Sequence, residues 1–168
     1  SKDSPLSDGK LEIKYMTAKE EDILTSANLI KKGMVIDKLL DSLILTKGIK
    51  CNDLVLGDKN AVMVAARVLA YGPEYACEID DPSTGNKTVK TFNLAECPFR
   101  KTPDNITENK FEVELPVSKA KITFRLLTHK EEKEIEVELK ALKKFQKDSG
   151  ITSEITTRLK KAILSVDG

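Results

Sequence analysis

Residues 60–73 decide the fold, and they read NAVMVAARVLAYGP. Arg67 is the only charged residue between positions 61 and 70, so apolar side chains fall on nearly every face of a helix formed here. Such a helix has to be surrounded by other elements of the fold or by a partner. Asp58 is the predicted N-cap, and the Gly-Pro pair ends the helix. We therefore predict a helix over residues 60–71.

Two further helical segments are predicted upstream of this helix. Thr17 and Glu20 have the spacing of a capping box, in which each side chain bonds to the backbone N–H of the other residue. The turns that follow end at Gly33, and residues 35–45 then carry an amphipathic helical pattern. Residues 1–10 are polar and are expected to form a flexible arm.

Downstream of the central helix, the hydrophobic period changes from about 3.6 to about 2 residues, which is typical of strands. Four alternating stretches predict two hairpins, made by residues 74–79 with 87–92 and by residues 111–115 with 121–126.

Two helices are predicted after the hairpins. Thr128 and Glu131 repeat the capping-box spacing and begin a long helix that ends at Gly150. A last helix, capped by Thr152 or Ser153, carries an apolar stripe that ends at Ile163.

The order of these elements predicts an α+β fold. We expect a single domain over residues 11–168, with a helical part at 17–72, the hairpins at 74–127 and a second helical part at 128–168. A chain of 168 residues is long enough to bury a core without disulfides or a structural metal.

The charge balance excludes binding that depends on a strong overall field. Lys and Arg number 28 and Asp and Glu number 27, which leaves a net charge of +1. Neither a nucleic acid nor an acidic membrane surface would attract such a molecule from a distance. No stretch is long and apolar enough to predict a membrane span.

The residues that carry chemistry are sparse. His129 is the only histidine, which excludes centres that need two imidazoles, and we expect it to be exposed at the start of its helix. Cys51, Cys77 and Cys97 are widely and irregularly spaced, so we expect reduced thiols in a reducing cytoplasm and no metal site. Phosphate-binding and nucleophile motifs are absent from the sequence. We therefore expect no enzyme activity and no cofactor.

Two features have both a structural and a functional interpretation. Arg67 either forms an internal ion pair, with Asp37, Asp41 or another carboxylate, or anchors a partner chain. The segment MTAKEE at residues 16–21 recurs as LTHKEE at residues 127–132. The repeat either reflects one favoured cap used twice or offers two equivalent helix starts to partners.

The apolar helix supplies the candidate partner-binding residues, because its surplus apolar surface suits a helix-in-groove contact. These candidates are Met63, Val64, Arg67, Leu69 and Tyr71.

Several stretches, in their order and spacing, resemble the T4-type phage baseplate hub assembly family. They are residues 14–25, 35–40, 56–61, 66–68, 71–72, 111–116 and 124–128. Family members often carry a thiol pair, similar to half a zinc ribbon, at the tip of the hairpin after the Tyr-Gly pair. Here that tip, residues 80–85, reads DDPSTG, so the resemblance implies no metal-binding role.

The resemblance implies a non-enzymatic protein of tail morphogenesis that acts on the baseplate hub in the infected bacterial cytoplasm. The implied partners are baseplate hub or tape-measure proteins. The resemblance leaves open whether the protein is an assembly chaperone or a structural subunit retained in the virion, and whether it forms homo-oligomers. A small regulatory or nucleic-acid-binding module is the third alternative.

Overall fold

The computed structural model describes residues 6, 9–98, 106, 108–145 and 153–167, without the side chains of residues 143–145. The helices are α1 (Ala18–Thr25), α2 (Ala27–Lys31), α3 (Val35–Leu43), α4 (Leu56–Tyr71), α5 (His129–Phe145) and α6 (Glu154–Ala162). The strands are β1 (Glu74–Asp80), β2 (Lys87–Asn93), β3 (Phe111–Glu114), β4 (Lys121–Phe124) and β5 (Ile163–Val166). Helices towards both ends with two small antiparallel sheets make an α+β fold, as the sequence predicts.

The core is built around α3, which packs on two sides. One buried cluster consists of Leu39, Leu43 and Ala66, and the other consists of Leu40, Cys51, Leu54 and Val62. Consecutive residues of a helix point in directions about 100° apart, so Leu39 and Leu40 serve different clusters. Leu6 packs against the second cluster, so this part of the predicted flexible arm is docked on the fold.

Backbone pairing joins the segment before α1 to the end of α3. Ile13 and Ile44 form an antiparallel bridge, and the Lys14 N–H donates to the Leu43 carbonyl at 2.9 Å. This pairing brings the start of α1 alongside α3.

The start of α4 differs from the prediction. The helix begins at Leu56 with Val55 at the N-cap position, so the predicted N-cap at Asp58 is wrong. Val55 forms an antiparallel bridge with Thr128, which holds the chain extended up to this residue. The helix begins directly after that bridge, and Asp58 lies in its first turn.

Gly72 makes the turn from α4 into β1. Its φ of 82° and ψ of 170° are accessible in practice only to glycine, and its N–H donates to the Val68 carbonyl at 2.9 Å. No described atom lies within 4 Å of the position that a Cβ would take. Any cost of a larger residue at this position therefore comes from backbone strain alone.

Gly72→Ala should lower the free energy of unfolding by about 1–3 kcal/mol, since alanine cannot relax in this region of backbone space. Gly57→Ala is the matched control, because Gly57 lies inside α4 with nothing within 4 Å of its added Cβ. Alanine favours the helix by up to about 1 kcal/mol, so this control should be neutral or stabilising. Urea unfolding followed by circular dichroism measures both changes, and equal stability of the two variants would contradict the assigned geometry.

The first sheet is the predicted hairpin, and it has only two strands. β1 and β2 pair antiparallel over seven residue pairs, with Tyr75 opposite Phe92. Every residue of β2 is exposed. A two-stranded sheet is marginally stable alone in water, so attachments at its base matter. One of these is the bond from the Leu94 N–H to the Pro73 carbonyl at 2.8 Å.

The second sheet contains a strand that was not predicted from the sequence. Its order is β3-β4-β5, and β5 occupies residues that were predicted to be helical within 128–168. That prediction is wrong at Ile163–Val166, since α6 ends at Ala162 and the chain then pairs antiparallel with β4. The edge of β4 that is not paired with β3 offers backbone hydrogen bonds to residues 163–166. The helical periodicity of this segment does not reveal such pairing with a distant strand.

Candidate functional site

The largest group of ionisable side chains with functional potential lies around Asp37 of α3. His129 Nε2, at the start of α5, donates to Asp37 Oδ1 at 2.6 Å. Lys59 Nζ, from α4, lies 3.7 Å from the same oxygen and 3.2 Å from His129 Nδ1. Lys133 Nζ, one turn further along α5, forms an ion pair with Asp37 Oδ2. We call these four residues, together with Cys51, the Asp37 cluster.

Cations surround the carboxylate at the centre of the cluster. Burial by itself raises the pKa of Asp37, but hydrogen bonds from Lys133 and His129 outweigh it, and the pKa lies below its ordinary value. The Cys51 thiol lies 3.8 Å from Asp37 Oδ1. Burial and the negative charge of Asp37 raise the pKa of Cys51 to about 11, so the thiol stays protonated at neutral pH. The cluster therefore contains no reactive thiolate.

The cluster also contains three possible metal ligands. Ligand atoms of Asp37, Cys51 and His129 lie within 4.8 Å of one another. However, the Lys59 ammonium lies 3.0 Å from His129 Nε2, and the Lys133 ammonium contacts the other carboxylate oxygen. A metal ion would have to displace two cations, so the donor set fits ion pairing better than metal binding. The cluster ties α4 and α5 to α3.

The environment of His129 contradicts the prediction. It was expected to be exposed, but its side chain is only 12% exposed and is bonded to Asp37. The backbone N–H of His129 donates to the Leu54 carbonyl at 2.8 Å, which draws the start of α5 onto the buried segment before α4. Sequence spacing could not reveal a contact between residues 92 positions apart.

Arg67 forms neither of the ion pairs expected for it. Among the residues that the structure describes it forms no salt bridge, so the predicted pairing with Asp37 or Asp41 is wrong. Its guanidinium donates to the Gly72 carbonyl at 3.0 Å and to the Glu74 carbonyl at 3.4 Å. It also lies 5.0 Å from the centre of the Tyr71 ring. Arg67 thus caps the end of α4 and holds the start of β1.

The other predicted partner-binding residues differ in exposure. Met63 and Val64 are half-buried, whereas Leu69 is 44% and Tyr71 is 52% exposed. Only Val62 and Ala66 of α4 are buried. The described part of the fold therefore leaves this helix partly uncovered.

The first predicted capping box forms, and its glutamate has a further role. The Glu20 carboxylate accepts from the Thr17 N–H at 2.9 Å. The same carboxylate accepts from Lys14 Nζ at 2.7 Å and from the Ser42 hydroxyl of α3 at 2.5 Å, and Glu20 has no exposed surface. Hydrogen bonds from Lys14, Ser42 and Thr17 hold the pKa of Glu20 far below its ordinary value, although burial opposes this.

The second box also forms, between Thr128 and Glu131, with the Thr128 N–H donating to the carboxylate at 2.9 Å. Glu131 also forms an ion pair with Arg125. In each box, the glutamate binds a basic residue six positions before it, so the repeat extends back to Lys14 and Arg125. The sequence carries this longer signal, although the predicted repeat covers only the residues around each cap.

These features define a small α+β protein whose helices are joined by polar contacts and whose longest apolar helix is left partly uncovered. No helix in the described part of the chain is long and apolar enough to cross a bilayer. A family model described as "T4 bacteriophage base plate protein" matches residues 1–166. The chain therefore belongs to the T4 bacteriophage base plate protein family. No curated protein and no solved structure matches it significantly.

Proposed function

We propose that this protein takes part in assembly of the baseplate hub through contacts with other tail proteins, without catalysing a reaction. Family membership supports a role in the baseplate. The contacts around Asp37 support a non-catalytic role, because the thiol there is protonated and the carboxylate is committed to ion pairs. The proposed partners are baseplate hub or tape-measure proteins, met in the cytoplasm of the infected host.

The observation that carries the proposal is a set of exposed apolar side chains at the end of α4 and on the hairpin that follows it. Leu69 and Tyr71 are exposed at the end of α4, and Tyr75 and Phe92 are exposed as a cross-strand pair at the base of the hairpin. We call these four residues the α4–hairpin surface. Single exposed apolar residues are common, but tyrosine and phenylalanine are enriched in protein interfaces, and Tyr75 and Phe92 lie side by side on the hairpin.

The remaining candidate partner-binding residues have secondary roles in this proposal. Arg67 holds the base of the hairpin through backbone carbonyls, so we assign it a positioning role. Met63 and Val64 are half-buried, so we assign them a smaller share of the contact.

The double variant Leu69→Glu, Phe92→Glu tests the surface in a phage whose own copy of the gene is disrupted. Burying the new carboxylates in an interface should reduce the yield of assembled baseplates at least about tenfold. Both residues are exposed, so the purified variant should keep the circular dichroism spectrum and melting temperature of the wild type.

Val137→Glu is the matched control, because Val137 is exposed on α5 and outside the surface. It should leave the baseplate yield unchanged. A normal yield from the folded double variant would exclude the α4–hairpin surface. Normal baseplates in phage that lack the protein altogether would exclude the assembly function.

A structural subunit retained in the virion is the second candidate, favoured by the description of the family as a base plate protein. Mass spectrometry of purified particles separates the two functions. An assembly chaperone should be absent or far below stoichiometric amounts, whereas a subunit should be present at a fixed copy number.

A further inference from the structure

A groove of about 510 Å³ lies between the first turn of α4 and the segment that enters α5. Its lining includes Val55, Leu56, Asp58, Arg125, Leu126 and Leu127. The Val55–Thr128 bridge and the hydrogen bond from the His129 N–H to the Leu54 carbonyl hold the two walls together. Backbone contacts therefore fix the position of one wall relative to the other.

The walls of the groove are largely aliphatic, and two of their leucines are exposed. Leu56 lies on the α4 side and Leu126 on the opposite side. Covering both would remove apolar surface from water, at about 25 cal/mol for each Å² buried. The shape suits a few aliphatic side chains of an inserted segment.

The charges of the groove decide what kind of segment fits. Arg125 is paired with Glu131, and Glu132 is paired with Arg158. The Asp58 carboxylate has no hydrogen bond and no ion pair to any residue that the structure describes. The neighbouring Lys59 cannot serve it, since its ammonium is directed at the Asp37 cluster.

Asp58 is therefore the one groove carboxylate without a cation among the described residues. The groove walls partly desolvate this carboxyl and raise its pKa, although the residue as a whole remains exposed. A positive group in the groove would stabilise its charged form. An acidic segment would instead place a second negative charge beside it.

We propose that this groove binds an apolar segment of another baseplate protein, whose lysine or arginine side chain pairs with Asp58. The inference rests on the proposed function, because it specifies a contact surface and the chemistry of a partner for that function. This surface is separate in sequence from the α4–hairpin surface, which lies at the other end of α4.

Titration of the full, isotope-labelled chain with a model peptide tests the chemistry directly. The probe is a short peptide of leucine and serine with one central lysine, and its counterpart carries glutamate in place of lysine. We expect shifts of backbone amide resonances at residues 55–58 and 125–127, and about tenfold tighter binding of the lysine peptide. D58N should remove this preference, whereas D22N should keep it, because Asp22 is an exposed helical carboxylate.

Several outcomes would overturn the proposal. They are the absence of binding, shifts that map elsewhere, equal binding of the two peptides by the wild type, and tighter binding of the glutamate peptide. Concentration-dependent dimerisation that Leu126→Glu abolishes would assign the groove to a second copy of the chain instead.

The phage assay separates this inference from the proposed function. D58K should lower the baseplate yield at least about tenfold, and D22K should leave it unchanged. If loss of the whole protein blocks assembly while D58K assembles normally, the groove proposal fails and the assembly function stands. If loss of the whole protein has no effect, the assembly function itself fails.

Discussion

Replacing Asp37 by asparagine should lower the free energy of unfolding by about 2–4 kcal/mol, because it removes the negative charge that three basic groups share. The side chain is only 14% exposed, so water cannot fully replace the lost charge. The asparagine would present a neutral amide to His129, Lys59 and Lys133. Its N–H₂ group is a hydrogen-bond donor, like the groups that face it, so it cannot replace the carboxylate oxygen as an acceptor. Urea unfolding followed by circular dichroism measures this loss.

Two further variants test whether unpaired charge is the cause. Asp22→Asn is the control for charge removal at an exposed site and should change stability by less than about 0.5 kcal/mol. Adding Lys59→Met to Asp37→Asn should recover part of the loss, since it removes one cation that has no counter-charge. A loss below about 1 kcal/mol for Asp37→Asn, the level of an exposed ion pair, would contradict the role of the cluster as a tie between helices.

Glu20→Gln should lower the free energy of unfolding by a similar amount, about 2–4 kcal/mol at pH 7. Glutamine has one acceptor oxygen where the carboxylate has two, and its N–H₂ group would face the donors Lys14, Ser42 and Thr17. The contact between α1 and α3 would lose its buried hydrogen bonds. Glu136→Gln, on an exposed position of α5, is the matched control and should be neutral.

The pH dependence of stability gives an independent check on Glu20. Its folded-state pKa lies below the ordinary value of 4.5, so the unfolded state binds the proton more readily. The stabilisation is complete above about pH 5 and is lost as the pH falls towards the folded-state pKa. The wild type should therefore lose stability in acid more steeply than Glu20→Gln, and the difference between them should shrink. Parallel pH profiles of the two proteins would contradict a buried, ionised Glu20.

Local signals in the sequence were sufficient for most of the elements. The Gly-Pro pair at residues 72–73 and the change of hydrophobic period after it predicted the first hairpin correctly. Thr17 with Glu20 and Thr128 with Glu131 predicted both capping boxes correctly. Each of these features depends on residues close together in the chain.

These local signals could not predict contacts between residues that are far apart in the sequence. The prediction of an N-cap at Asp58 is wrong because Val55 pairs with Thr128 and the helix begins directly after that bridge. The prediction that His129 is exposed is wrong because its side chain is bonded to Asp37. The burial of Asp37 could not be predicted either, since nothing in the sequence pattern of α3 shows that α5 covers the face that carries it. The burial of Glu20 has the same origin, because its partner Ser42 belongs to a different helix.

The position of β5 has a consequence for how the protein is made. β4 lies between β3 and β5, but β5 follows α5 and α6 in the sequence. During synthesis, one side of β4 therefore stays unpaired until β5 emerges from the ribosome. Unpaired strand edges of this kind promote aggregation of nascent chains. A chain truncated before Ile163 should therefore be prone to aggregate through β4.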